Sequence, residues 1–249
     1  MTRITKFYLI FSVILLLFLT ACTQPDVEPT PTTAPTATPE PTAIPRADFP
    51  LEKGATWAYE GTVKWQEGSD VLEDNITWTM EVIDTIERLH VKGYLLRGMP
   101  LDLAWYEPGK EPGTHVIVQV GTKYYYGDQT TWQRLQDQDD LLMELVTEWG
   151  LFLDLPLQAD KYFGETAQIT RSDFSYFWVI EAEEIVSLEH VAGLDATGER
   201  TQYSLAFRTL PDHQLVDFVP GVGITHYVYV HHGTVSEADV RLVEFQPGE

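Results

Sequence analysis

The stretch Thr56-Trp57-Ala58-Tyr59-Glu60-Gly61-Thr62-Val63-Lys64-Trp65 alternates along its length. Trp57, Tyr59, Val63 and Trp65 fall on one face, and Thr56, Glu60, Thr62 and Lys64 on the other. That is the period of a strand with one face buried. Asn75 to Val82 repeats it with Ile76, Trp78, Met80 and Val82. Two later sets do the same: Phe174, Tyr176, Trp178 and Ile180, then Thr201, Tyr203, Leu205 and Phe207. Val240, Leu242 and Phe245 close the chain. Further strands are expected at 91–97, 102–107, 115–120, 122–126, 130–135, 214–218 and 223–231. Turn formers stand between them: Glu67-Gly68-Ser69-Asp70, Pro108-Gly109-Lys110, Gly127-Asp128, Thr197-Gly198, Pro211-Asp212 and Pro220-Gly221. Such short connections imply antiparallel hairpins.

One segment departs from this period. Asp139 to Gly150 sets Leu141, Leu145 and Trp149 at helical spacing with Leu142 and Val146 beside them. Asp137, Asp139 and Asp140 stand at its start and Gly150 at its end, which predicts a capped amphipathic helix over about 139–150. A helix with so wide an apolar stripe must pack on something. The expected fold is therefore mainly β: a large curved antiparallel sheet or open barrel with that one helix.

Composition removes whole classes of function. The 249 residues carry 16 Lys+Arg against 38 Asp+Glu, a net charge of −22, so no basic face is available for phosphates and nucleic acid is excluded as a partner. One Cys allows no internal disulfide framework and no thiolate-rich metal site. The sequence has no G-x-S-x-G, H-E-x-x-H, G-x-x-x-x-G-K-[ST] or G-x-G-x-x-G pattern, and no cofactor is indicated.

The chain begins with Arg3 and Lys6, an uncharged run from Phe7 to Thr20, and small residues, the layout of a signal peptide over 1–21. Leu19-Thr20-Ala21-Cys22 resembles the lipobox of bacterial lipoproteins. The resemblance implies diacylglycerol on the Cys22 thiol, cleavage before Cys22 and a lipid bilayer as the first partner. The expected location is the cell membrane or the outer membrane, on the extracytoplasmic face. Loss of the leader takes the charge from −22 to −24. Residues 22–47 are the lipidated Cys and a Pro/Thr-rich stalk without apolar periodicity. Extended at about 3.1 Å per residue, its 25 residues after Cys22 reach roughly 75 Å. Residues 48–249 read as a single β-rich extracytoplasmic domain.

Two stretches of that domain are similar to bacterial lipoproteins whose function is not established. One is Phe49-Pro50-Leu51-Glu52-Lys53-Gly54-Ala55-Thr56-Trp57-Ala58-Tyr59; the other is the hairpin Phe218-Val219-Pro220-Gly221-Val222-Gly223-Ile224. The resemblance implies a membrane-anchored β-rich domain.

The aromatic residues are the best candidates for binding. Seven Trp and twelve Tyr include Tyr124-Tyr125-Tyr126, where alternation turns Tyr125 away from its neighbours. Exposed rings stack on sugar faces or line apolar pockets, and Tyr125, Trp132 and Trp149 are the candidate ligand contacts. In the segment 224–233, His226 and His232 share one strand face and His231 takes the other. His226 and His232 then lie about 20 Å apart along the strand, too far to share a metal. The acidic groups at 67–75 and 137–140 lack the spacing of a Ca²⁺ loop. Glu107 and Glu111 flank a turn as a possible carboxylate pair. No catalytic residue and no metal ligand is assigned. The sequence points to a non-enzymatic binding domain for a small apolar molecule, a glycan or an envelope protein. An envelope hydrolase acting on glycan or lipid, with an acid and base such as Glu107 or His231, and a structural envelope component are the alternatives.

Overall fold

The computed structural model describes residues 49–194 and 198–248. Cys22, the expected leader and the expected stalk to residue 47 lie outside the described residues, as does Thr197 of the expected Thr197-Gly198 turn. Twelve strands follow in order: β1 Thr56–Glu67, β2 Asp70–Arg88, β3 Val91–Arg97, β4 Thr114–Val120, β5 Lys123–Gly127, β6 Leu151–Asp154, β7 Tyr162–Phe163, β8 Trp178–Ser187, β9 Glu199–Arg208, β10 Asp212–Val219, β11 Gly223–His231 and β12 Ser236–Gln246. All belong to one antiparallel sheet in the order β6-β5-β4-β3-β2-β1-β12-β11-β10-β9-β8-β7. Each strand except the edges pairs with its sequence neighbours, and the first strand pairs with the last, Trp65 opposite Ser236 and Thr56 opposite Gln246. The sheet is a nearly closed barrel whose gap lies between β6 and β7. At the gap the Lys161 ammonium donates to the carbonyls of Asp154 and Pro156.

The expected fold class holds because one face of almost every strand is apolar. Trp57, Tyr59, Met80, Leu96, Ile117, Phe218, Tyr227, Tyr229, Val240 and Leu242 fill the interior. Buried aromatic donors find backbone acceptors there, as burial requires. Trp57 Nε1 donates to Val222 O at 2.6 Å, Tyr59 OH to Ile224 O at 3.1 Å and Trp78 Nε1 to Gly98 O at 2.9 Å. The stretches 49–59 and 218–224 thus meet: Phe49 also packs edge-on against Phe218 at 5.2 Å.

The helix is not where the sequence puts it. Residues 130–135, expected as a strand, belong to α1, Gln129–Gln136, and 139–150 forms turns and a short 3-10 segment at Glu148–Gly150. Asp128 and Thr131 cap α1 reciprocally, with Thr131 N donating to Asp128 Oδ1 at 2.8 Å and Asp128 N to Thr131 Oγ1 at 3.2 Å. At the other end Arg88 donates to the carbonyls of Arg134, Leu135 and Asp137 and, beyond them, Gln138 and Asp140. Those are the free carbonyls a helix end must satisfy. In 139–150 the acids bond their own local backbone instead of capping a helix: Asp140 accepts from Leu142 N at 2.6 Å and Asp137 from Asp139 N at 3.0 Å. Leu142 and Glu144 accordingly take left-handed φ of 56° and 52°.

α1 packs on the outer face of the sheet. Trp132 and Leu135 meet Val91, Val116 and Val118, with Leu142 and Leu145 completing this second cluster. Gly93 permits the approach, since a Cβ there would lie 2.5 Å from Leu135 Cδ1. Two other strand expectations change. Residues 102–107 fall in a 3-10 turn, Pro100–Leu103, and the loop after it, while Phe174 and Tyr176 precede β8 with φ of 53° and 68°.

Candidate functional site: the rim under Trp105

The connection from β3 to β4, residues 98–113, crosses one end of the barrel. Leu101, Leu103, Ala104 and Tyr106 turn into the interior core, and Tyr106 packs on Trp65 near the end of β1 at 5.6 Å. Four polar contacts fix this segment. Asp102 accepts from Gly113 N at 2.9 Å and contacts His115 Nε2 at 2.7 Å, and Lys110 Nζ donates to Ala104 O at 2.7 Å and Trp105 O at 3.2 Å. Trp105 is left half-exposed with a left-handed φ of 53°. Its ring lies 4.3 Å from the imidazole of His231, and its backbone N–H donates to Ser236 Oγ at 3.1 Å.

Register places the groups beneath it. Asp212 begins β10, His231 ends β11 and Ser236 begins β12, and the ladders pair Asp212 with His231 and His231 with Ser236. His231 shares its face with Tyr229 and Tyr227, two and four residues back, which are buried in the core. Asp212 Oδ1 is 2.8 Å from His231 Nδ1 and accepts from Tyr229 OH at 2.7 Å; Oδ2 accepts from Thr209 Oγ1 at 3.0 Å. Burial pushes the Asp212 carboxyl up, but the hydrogen bonds from His231, Tyr229 and Thr209 outweigh it and hold the group below its ordinary value. An ionised Asp212 can only accept, so His231 Nδ1 carries a proton toward it. Burial, with the Asp212 carboxylate, pushes the Tyr229 phenol up.

On the outside of this end, Trp105, Glu107, Pro108, Gly109 and Lys110 line a surface depression of about 400 Å³. A stacking surface, a carboxylate and an ammonium therefore stand together on one loop.

The candidates named from sequence are dispersed. Trp132 is buried between α1 and the sheet, Tyr125 is half-buried against the interior core, and Trp149 stands exposed before Gly150. His231 and Glu107 do border the rim, whereas Asp212 and Ser236 were not singled out. Their signal is positional: a hairpin-end Asp, His and Ser whose ladders align. His226 lies on the outer face, with Nδ1 3.1 Å from Asp217 and Nε2 2.8 Å from Asp239. The 67–75 acids are exposed side chains of the β1–β2 hairpin, where Glu73 meets Lys64 at 3.9 Å. Among the described residues no group of three or more His, Cys, Asp or Glu is arranged to hold a metal.

No protein-family model matches the chain, and no curated protein matches it. Two solved structures are similar. One is a Bacteroides fragilis protein of YmcC-like fold, described as exported, at 10% identity and a TM-score of 0.38 over 81% of this chain and 99% of that one. The other, described as a lipoprotein of Parabacteroides distasonis, has 10% identity and a TM-score of 0.36 over the same shares.

Proposed function

We propose that this chain is a bacterial lipoprotein: lipid on Cys22, a Pro/Thr-rich stalk to residue 47, and an extracytoplasmic domain from residue 48 that binds a neutral glycan at the Trp105 rim. Trp105 carries the reading. An indole left half in solvent on a left-handed backbone, which costs about 1–2 kcal/mol, is held there by the backbone N–H of Trp105 bonded to Ser236, by Lys110 on its carbonyl and by the His231 ring. Its open face suits the C–H face of a sugar, and Glu107 and Lys110 beside it suit hydroxyl groups. The large negative charge disfavours anionic polysaccharides. An apolar ligand between helix and sheet fits less well, because Trp132 and Leu135 occupy that space.

The test has two arms. Cys22→Ser should move the protein from the membrane to the soluble fraction. Titration calorimetry with neutral envelope oligosaccharides should show Trp105→Ala binding about tenfold more weakly, the loss of one stacking contact worth about 1.4 kcal/mol. A Cys22→Ser protein that stays with membranes overturns the anchor, and an unchanged affinity in Trp105→Ala overturns the binding site.

A further inference from the structure

A second pocket, of about 190 Å³, lies between the end of β8 with the loop that follows it and the strands β11 and β12. It shares no residue with the Trp105 rim: His226, one of its lining residues, is five positions back along β11 from His231, roughly 16 Å at about 3.3 Å per residue. Leu188, Val191 and Leu242, all buried, supply its apolar wall. The loop that carries Leu188 and Val191 is docked on β12, where Ala192 N donates to Val243 O at 2.8 Å and Phe245 N to Ala192 O at 2.9 Å. The pocket is therefore preformed, which lowers the cost of filling it.

Its polar lining is basic. Arg241, His190 and His226 line it with Gln202 and Thr225, and among the described lining residues there is no Asp or Glu, in a chain with 38 acids against 16 Lys and Arg. His226 is already engaged, with Nδ1 3.1 Å from Asp217 and Nε2 2.8 Å from Asp239, and Ser204 donates to the other oxygen of Asp217 at 2.6 Å. Arg241 is not engaged. Arg97, Arg134, Arg171 and Arg208 each hold a carboxylate. Arg241 stands opposite Glu60 on β1 and His226 on β11, yet it makes no ion pair or hydrogen bond with the described residues. His190 has none either, and Gln202, whose Oε1 accepts from Thr225 Oγ1 at 3.1 Å, keeps its amide N–H groups open.

We propose that this pocket binds a small aliphatic monocarboxylate, with its carboxylate on the Arg241 guanidinium and its chain against Leu188, Val191 and Leu242. A guanidinium fork matches the two oxygens of a carboxylate, and His190 and Gln202 add donors beside it. An inorganic anion would leave the apolar wall unused. The volume sets the chain length: sites for drug-sized molecules measure about 300–1,000 Å³, whereas 190 Å³ holds about six water-sized groups at roughly 30 Å³ each, the size of butanoate. The acids elsewhere on the chain do not forbid an anion here, because charges beyond about 8 Å are screened at physiological ionic strength. The two nearer ones, Asp217 and Asp239, are held by His226.

The test uses the full-length chain in lipid nanodiscs, with empty nanodiscs as the blank, and saturation-transfer NMR with butanoate. Butanoate should bind about tenfold or more tightly than butanamide, which has its shape without its charge, and neither butylamine nor inorganic phosphate should displace it. Arg241→Gln should weaken butanoate about tenfold or more, Arg241→Lys, which keeps the charge and loses the fork, should restore part of that loss, and His190→Ala should weaken it about threefold. Arg241 and His190 are exposed side chains, so all three variants should melt as the parent does. If Arg241→Gln does not fold, Arg241→Lys and His190→Ala carry the same readings. No signal from butanoate above the blank, equal binding of butanamide, displacement by phosphate, or parental affinity in a folded Arg241 variant overturns the proposal. Butanoate binding without oligosaccharide binding overturns only the glycan reading of the rim, and oligosaccharide binding without butanoate binding overturns only this one.

Discussion

Replacing Gly61 by alanine strikes the closure of the barrel, where the first strand meets the last. A Cβ at Gly61 would lie 1.9 Å from Asp239 O and 2.7 Å from Val240 Cα. Ordinary contact begins near 3.4 Å, so β1 and β12 must separate by more than an ångström at the Gly61–Val240 position. No side chain can turn aside to prevent this, because both opposing atoms are backbone. The neighbouring pairs, Glu60 with Arg241 and Thr62 with Asp239, are pulled apart with it. Two weakened ladder hydrogen bonds at about 1 kcal/mol each and about 1–3 kcal/mol of overpacking give a loss of about 3–5 kcal/mol. That is a large share of the roughly 5–15 kcal/mol that holds a domain folded. Urea unfolding followed by tryptophan fluorescence reads it, since Trp57 and Trp65 lie on the same strand. The midpoint should fall with the slope unchanged. Gly68→Ala is the control: φ is 62° and nothing lies within 4 Å, so only the left-handed penalty of about 1–2 kcal/mol applies. A loss under about 1 kcal/mol in Gly61→Ala, or a larger loss in Gly68→Ala, would show that the β1–β12 ladder is not held as tightly as described.

Trp132→Ala empties the contact between α1 and the sheet and should cost about 3–5 kcal/mol, with hydrogen exchange rising in 129–136 before it rises in β9 to β12. Equal acceleration in both regions would count against a separately packed helix. Arg134 holds the Asp140 carboxyl down to about 2, assisted by the Leu142 N–H. The folded value lies below the unfolded one, so this contribution is complete above pH 4 and is lost as pH falls toward 2. In Arg134→Ala, carboxyl-carbon NMR should find Asp140 titrating closer to 3.8, and the stability advantage of the parent over the variant should vanish across that window. An Asp140 titration that does not move would assign the shift to Leu142 instead.

The strands were readable wherever one face is buried and the other wet, because alternation is then imposed by the core; β1 and β11 show this most plainly, with Trp57, Tyr59 and Val63 answering Tyr227 and Tyr229. The helix was not readable for the opposite reason. α1 buries only Thr131, Trp132 and Leu135, too few to draw a stripe, and its real signals are local: the Asp128–Thr131 cap and an Arg88 that arrives from β2. Residues 139–150 have helical spacing, but Asp137 and Asp140 satisfy backbone donors nearby, and that bonding defeats a periodicity which buries only Leu142 and Leu145. The stretches 49–59 and 218–224 are explained by packing on one another, through Trp57 with Val222 and Tyr59 with Ile224, so they mark the fold and not the rim.

Histidines along one strand do not meet each other, because a strand carries like-facing residues apart at about 3.3 Å per step. Partners come from across the ladder. His231 meets Asp212 from β10 and faces Ser236 on β12, and His226 meets Asp217 and Asp239 from the same two strands on the opposite face. A register slip of one residue in β11 would exchange these faces. It would also drive Tyr227 and Tyr229 out of the core, where they are 1% and 2% exposed. The burial of two tyrosines thus fixes which histidine looks inward, and the rim chemistry follows from the packing of the barrel wall beneath it.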